Sequence, residues 1–226
     1  MANYVYVTLD TTAPSNPVVT IEGNAIYTTN QLVNLNVSVG DAVTTGYQMK
    51  IWGSVDTTYD SNVQSTEETS SWIPYSSSPQ VKLSASDGAK TINLRVRDDV
   101  HNASSVAVDS ITMDTTIPTV TTTIPDVNKI SKIAGKDTAS FTFTSNEDFS
   151  EYKVKLVGAT GNTHDAGITI PKVSGSINTS GTGAFTAGQV ITVTIKGQDL
   201  EDAGATTDGQ KIIKVFVKDS SGQWSA

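Results

Sequence analysis

Few side chains in this sequence are of kinds that make or break covalent bonds, and their spacing points to no reaction. The 226 residues contain two histidines, His101 and His164, and no cysteine. Neither histidine belongs to an H-E-x-x-H metal motif or stands beside a nucleophile signature. Adjacent carboxylates such as Glu67 and Glu68 serve glycoside cleavage only when folding holds a partner about 5–9 Å away across a cleft. In a stretch rich in Ser and Thr they read as a solvated loop. The chain is therefore expected to be non-enzymatic, with no catalytic residue assigned.

Two kinds of binding chemistry are left. Asp10, Asp98, Asp99, Asp114 and Asp219 are candidate oxygen ligands for calcium, which takes about six to eight oxygens, although no EF-hand spacing is present. The competing role for the first and fourth of these is structural. Asp10 and Pro14 frame one Asp-Thr-Thr-x-Pro run, Asp114 and Pro118 the other, and such a run makes a stiff junction in which Asp and Thr hold a turn and Pro restricts entry into the next strand. Trp52, Tyr59, Trp72 and Tyr75 are candidates for a sugar- or protein-contacting patch; Trp72 and Tyr75 read as packing, which leaves Tyr59, in a polar loop, as the surface candidate. The net charge of −8 comes from scattered acids, with no basic stripe for nucleic acid. No segment approaches the ~18 apolar residues of a membrane span.

The elements that must position these residues read as strands. Thr, Ser and Val recur throughout, and with no cysteine the fold must be held by packing rather than by disulfides or thiolate metal sites. Residues 32–39 alternate Val33, Leu35, Val37 and Val39 against Asn34, Asn36 and Ser38, the period of a strand with one wet face. The same period runs through 91–96 and, less cleanly, through 47–52, and the expected core is Val33, Leu35, Val37, Ile51, Ile92, Leu94 and Val96. Residues 53–71 and 158–186 lack a sustained period and are expected to be long surface connections, both of them candidate binding loops. Phe141 and Phe143, then Tyr152, Val154 and Leu156, supply inward rows in the second half, with closing strands at 190–195 and 212–217.

An internal repeat organises these strands. Residues 90–104 (KTINLRVRDDVHNAS) align with 211–225 (KIIKVFVKDSSGQWS), and MDTTIP, ending at Pro118, aligns with LDTTAP, ending at Pro14. In the middle of the chain the two blocks are continuous through residues 106–113; in the second copy they are separated, the strand-like block lying at the start. This divides the chain into an orphan strand at 1–9, a sandwich at 10–113, and a second sandwich at 114–226 that lacks its own last strand.

The ordered landmarks Met49-Lys50-Ile51, Trp72-Ile73-Pro74-Tyr75, Asp87-Gly88-Ala89-Lys90-Thr91 and Arg97-Asp98 through His101-Asn102-Ala103-Ser104 resemble the bacterial Ig-like repeats of surface arrays and tailed-phage structural proteins. The resemblance covers residues 10–118, with the two Asp-Thr-Thr-x-Pro runs as inter-repeat junctions; over 119–226 it rests on 211–225. It implies an all-β chain of two tandem Ig-like β-sandwiches acting as spacer, decoration or carbohydrate-contacting element. The expectation is a virion structural protein assembled in host cytoplasm, the N-terminus showing no basic leader or apolar signal core. The alternative is an adhesin or spacer at the bacterial cell surface. A sandwich short of one strand offers an edge for strand addition. Val5, Val7 and Leu9 are the expected donor row and Ile213, Val215, Val217 and Trp224 the acceptor, joining copies head to tail or binding another virion protein.

Overall fold

Alternation between apolar and polar residues becomes sheet almost everywhere it occurs in the computed structural model, which describes residues 3–226. The chain divides into two compact units, Met1–Thr115 and Thr116–Ala226. The first contains β1 (Val18–Ile21), β2 (Tyr27–Thr28), β3 (Leu32–Ser38), β4 (Gln48–Gly53), β5 (Ile73–Pro74), β6 (Gln80–Lys82), β7 (Gly88–Arg97) and β8 (Ala107–Met113). They form a three-stranded sheet, β1-β3-β6, and a five-stranded sheet, β2-β8-β7-β4-β5. Every residue of the expected core is buried, Val33, Leu35, Ile92, Leu94 and Val96 with no exposed surface. A slip of one residue in any of these strands would turn the apolar row to water, so the pattern also sets register.

The second unit contains β9 (Val120–Thr122), β10 (Thr138–Ser145), β11 (Phe149–Val157), β12 (Ile168–Thr169), β13 (Ser180–Phe185), β14 (Ile191–Lys196), the one-and-a-half-turn helix α1 (Gly197–Asp202) and β15 (Ile212–Lys218). One sheet runs β14-β10-β9; in the other, β11 pairs with β12 and β13 and also with β15. Its core gathers Phe143, Phe149, Tyr152, Val154, Val193, Ile195, Val215 and Val217, with Phe185 stacked on Phe149 at 4.7 Å between ring centroids. Both units are thus small all-β sandwich modules.

Both expected loops are more built than their composition suggests. In 53–71, Val55 and Val63 are buried in the first core, and isolated bridges tie Trp52 to Gln64 and Val55 to Leu83. Glu67 accepts from Arg95 at 2.8 Å and its carbonyl from Lys50 at 3.2 Å, so this acid fastens the loop to the sheet. In 158–186, two strands form and Ile170 is buried. Phe141 and Leu156, expected to point inward, are only partly buried at the core margin, whereas Val157 is buried.

Candidate functional site: an open strand edge in the second unit

The strand β15 and the turn after it repeat the main hydrogen bonds of β7 and its turn. Each follows an Asp-Gly step whose glycine takes a left-handed backbone, φ 117° at Gly88 and 122° at Gly209, which a side chain would strain. In the first unit Ser104 donates its N–H to the Val96 carbonyl (2.8 Å) and accepts at Oγ from the Val96 N–H (3.1 Å). In the second, Ser225 does the same with Val217 at 2.9 and 3.1 Å. The aspartates that follow, Asp98 and Asp219, each accept at Oδ1 from a backbone N–H four residues on, Asn102 at 2.8 Å and Gln223 at 2.9 Å.

What flanks these strands differs. β7 lies between β4 and β8, so both of its edges are paired. Among the described residues β15 pairs with β11 alone apart from the Lys218–Trp224 bridge at its far end. Strand residues point N–H and C=O to one side and alternate along the chain. Since Val217 spends both groups on Ser225, away from β11, Val215 and Ile213 direct theirs to the same outer side. Burial agrees with this reading: Ile92 has no exposed surface, whereas Ile213, at the same position of the second unit, is half-buried. In the first unit the covering side chains come from β8, whose Ile111 and Met113 are each 2% exposed.

Residues 3–9 form no strand, and Val5, Val7 and Leu9 are 88%, 89% and 86% exposed. Tyr4 and Tyr6 lie together, edge to face at 5.8 Å, on the alternate positions. Alignment through the Asp-Thr-Thr-x-Pro runs places Leu9 at Met113, Val7 at Ile111 and Val5 at Asp109. Asp109 is a special case, because its carboxylate accepts the Ile21 N–H at 2.7 Å; valine at that position makes residues 3–9 more apolar than the strand they align with.

Two of the expected acceptors are placed differently from that expectation. Val217 contributes core packing, but its backbone is already occupied by Ser225, so the open edge begins at Val215. Trp224 covers the outer face of the sheet instead of the acceptor cleft: its ring stacks on His164 at 4.7 Å and lies under Lys153 at 4.7 Å and Lys218 at 5.9 Å. Trp72 does the equivalent in the first unit, between Lys50 at 5.1 Å and Arg97 at 4.4 Å. Tyr75 donates its hydroxyl to the Val37 carbonyl at 3.0 Å and is a packing residue. Trp52 lies in β4, partly buried. Tyr59 is 52% exposed, with Lys82 at 6.0 Å from its ring. Nearby Asp56 pairs with Lys82 at 3.0 Å, and the Thr58 hydroxyl followed by that lysine hold its carboxyl down to about 2.

The junction residues make turns. Asp10 Oδ1 accepts the Thr12 N–H at 2.9 Å, Asp114 donates its N–H to the Thr28 carbonyl at 2.9 Å, and Pro14 and Pro118 are buried. Asp10, Asp98 and Asp99, together with Asp41, share the surroundings of Tyr47, whose hydroxyl is pushed up first by burial and then by these carboxylates. Asp114 and Asp219 are not among them. Among the described residues no group of three or more His, Cys, Asp or Glu side chains is placed to hold a metal ion.

One mismatch between the twin turns makes a prediction. Asn102 Nδ2 donates to Asp98 Oδ2 at 2.9 Å; the longer Gln223 sends its Nε2 to the Thr116 carbonyl at 3.1 Å and to Ser221 Oγ at 3.2 Å. Asp219 Oδ2 is left buried without a hydrogen bond. Gln223→Asn restores the shorter reach and is expected to stabilise the second unit by about 1 kcal/mol, read as a higher urea midpoint with unchanged slope. A lower midpoint would show that the Thr116 contact matters more.

No known family profile matches the chain, and no curated protein matches it in sequence. Solved structures do resemble it. The fibronectin(III)-like modules of Clostridium thermocellum CbhA match 92% of this chain and 90% of theirs, at 14% identity and a TM-score of 0.44. The D00-D0 domain of intimin covers 93% and 97% at 13% identity and 0.35. Carbohydrate-binding modules of the β-sandwich superfamily cover 96% and 100% at 13% identity and 0.34. Scores this low carry neither a partner nor an activity across.

Proposed function

We propose that this chain is a non-catalytic structural module of an extended assembly, and that its second sandwich is completed by a β-strand added from outside that unit. The observation that carries the reading is the edge of β15, unpaired at Ile213 and Val215 among the described residues, where the otherwise equivalent β7 is covered by β8. Strand addition satisfies the free backbone groups and covers the inward row in one step. Its setting is a tailed-phage particle or a bacterial surface array, the two places where the repeats resembled by residues 10–118 occur. Immunogold labelling of particles and of cells separates those settings.

The test uses the chain without residues 1–9 and a synthetic peptide of residues 3–11. Bound peptide is expected to slow hydrogen exchange at the Ile213 and Val215 amides and to raise the unfolding midpoint of the second unit in proportion to peptide concentration. A peptide carrying Val5→Asp and Val7→Asp is the control. Unchanged exchange at both amides with the unmodified peptide sinks the reading.

A second reading, an adhesin module contacting cell-surface glycan, is favoured by Tyr59, exposed on a turn that the Asp56–Lys82 pair braces. Aromatic faces and sugar rings stack. On that reading Tyr59→Ala abolishes retention on a glycan array without shifting the unfolding midpoint.

A further inference from the structure

We infer that the strand completing the second unit is residues 3–9 of a second copy of this chain, docked antiparallel in the register that β8 takes on β7. This rests on the strand-addition reading and names its occupant. Three features of the intact first unit fix the register. β8 pairs Met113 with Gly88, Ile111 with Lys90 and Asp109 with Ile92. Carried to the second unit, Leu9 lies beside Gly209, Val7 beside Lys211 and Val5 beside Ile213, so the three most exposed aliphatic side chains of the N-terminal segment cover the half-buried isoleucine. On the other face, Thr91 and Ser110 are opposed and share a hydrogen bond at 2.9 Å; Ile212 and Tyr6 take those places.

A third feature lies beyond the strand itself. Asp87, in the turn before β7, accepts at Oδ1 from both the N–H and the hydroxyl of Thr115, each at 2.8 Å. The residues at those positions are Asp208 and Thr11, so the chemistry of this clasp is present on both sides of the proposed joint. A random apolar tail would match the edge by hydrophobicity alone; this one also matches at the residue that closes the turn. Because donor and acceptor are different surfaces, the contact is heterologous and adds copies head to tail, as a ring or a filament according to the rotation at each joint.

Light scattering on the full chain is expected to show mass rising with concentration, and Val7→Asp to return it to the monomer mass. The absence of native cysteine makes introduced thiols unique. Mixing a Tyr6→Cys copy with an Ile212→Cys copy under mild oxidation is expected to give a disulfide-linked dimer, since directly opposed residues in this kind of pair stand about 4.5 Å apart at Cα. Tyr6→Cys mixed with Lys214→Cys, displaced along the strand, is expected to give none. A monomer at every concentration with no cross-linked dimer overturns the inference. So does a disulfide formed only within the chain when Tyr6→Cys and Ile212→Cys are combined. If the peptide of residues 3–11 nevertheless protects β15 in the shortened chain, strand addition stands and only its occupant is wrong. If it does not, both fall together.

Discussion

In urea unfolding of the chain without residues 1–9, Ile92→Ala is expected to lower the stability of the first unit by about 3–4 kcal/mol, and Ile213→Ala to lower that of the second by about half as much or less. The two isoleucines occupy the same position of the same repeat, point inward and lose the same atoms. They differ in what lies beside them. Ile92 is sealed, with no exposed surface, by the neighbouring strand β8, so truncation forfeits the transfer energy of the side chain and leaves a cavity. Ile213 keeps part of its surface in water, so less apolar area is re-exposed, at roughly 25 cal/mol per Å², and the space opens to solvent instead of becoming a void. Adding the peptide of residues 3–11 to the shortened chain is expected to raise the Ile213→Ala cost toward the Ile92→Ala value. Tryptophan fluorescence follows the units separately once Trp224→Phe leaves emission from Trp52 and Trp72 of the first unit, or Trp52→Phe with Trp72→Phe leaves that from Trp224 of the second. Equal costs at the two positions without peptide would show that the flank of β15 is already covered.

The contrast between those positions also shows what the sequence could carry. Val33, Leu35 and Val37 set against Asn34, Asn36 and Ser38 define a half-wet strand because period-two alternation has only one good solution, and β3 has that burial pattern throughout. The twin turns were legible as an aligned repeat, 90–104 against 211–225, while the aspartate capping each turn and the serine folding back come from the structure. Residues 180–185 gave no such signal. Their Ser-Gly-Thr-Gly-Ala-Phe run has no alternation, yet it becomes β13 because β11 offers it a partner edge. Val55 and Val63 were hidden for a similar reason, isolated apolar residues in a polar stretch that tertiary closure buries. Sequence spacing does not say which sheet face a residue beyond the strand will cover, so the place of Trp224 under Lys153 and Lys218 was not legible. The helix α1 is too short for a helical period to register. It is held in place by a carboxylate whose role no motif announces.

That carboxylate, Asp199, is expected to be the most sensitive polar position in the chain. It has no exposed surface and accepts the Ser174 N–H at 2.7 Å on one oxygen and the Ser176 N–H at 2.8 Å on the other, so it pins the segment leading into β13 against α1. Burial works against its charge, but the backbone N–H groups and hydroxyls of Ser174 and Ser176 outweigh that and hold its pKa below the ordinary aspartate value. Asp199→Asn keeps the shape and turns an amide NH2 toward one of two inward-pointing donors. The expected loss is about 3 kcal/mol at neutral pH, the range for a buried charged hydrogen bond removed together with a donor left unsatisfied. The pH dependence has a definite sign. A folded-state pKa below the unfolded one means stability that is complete above the unfolded value, near 3.9 for aspartate, and that fades as pH falls through the lowered folded value. The difference between the two proteins should therefore be flat from about pH 7 to 5 and shrink below about pH 4, where the unfolded chain's carboxyl takes up a proton while the native one is still ionised, and asparagine does not titrate. Urea midpoints at pH 7, 5 and 3 measure it. A gap that widened in acid would mean that desolvation, not the two serine N–H groups, governs this site, and that residues 174–176 are held by something other than Asp199.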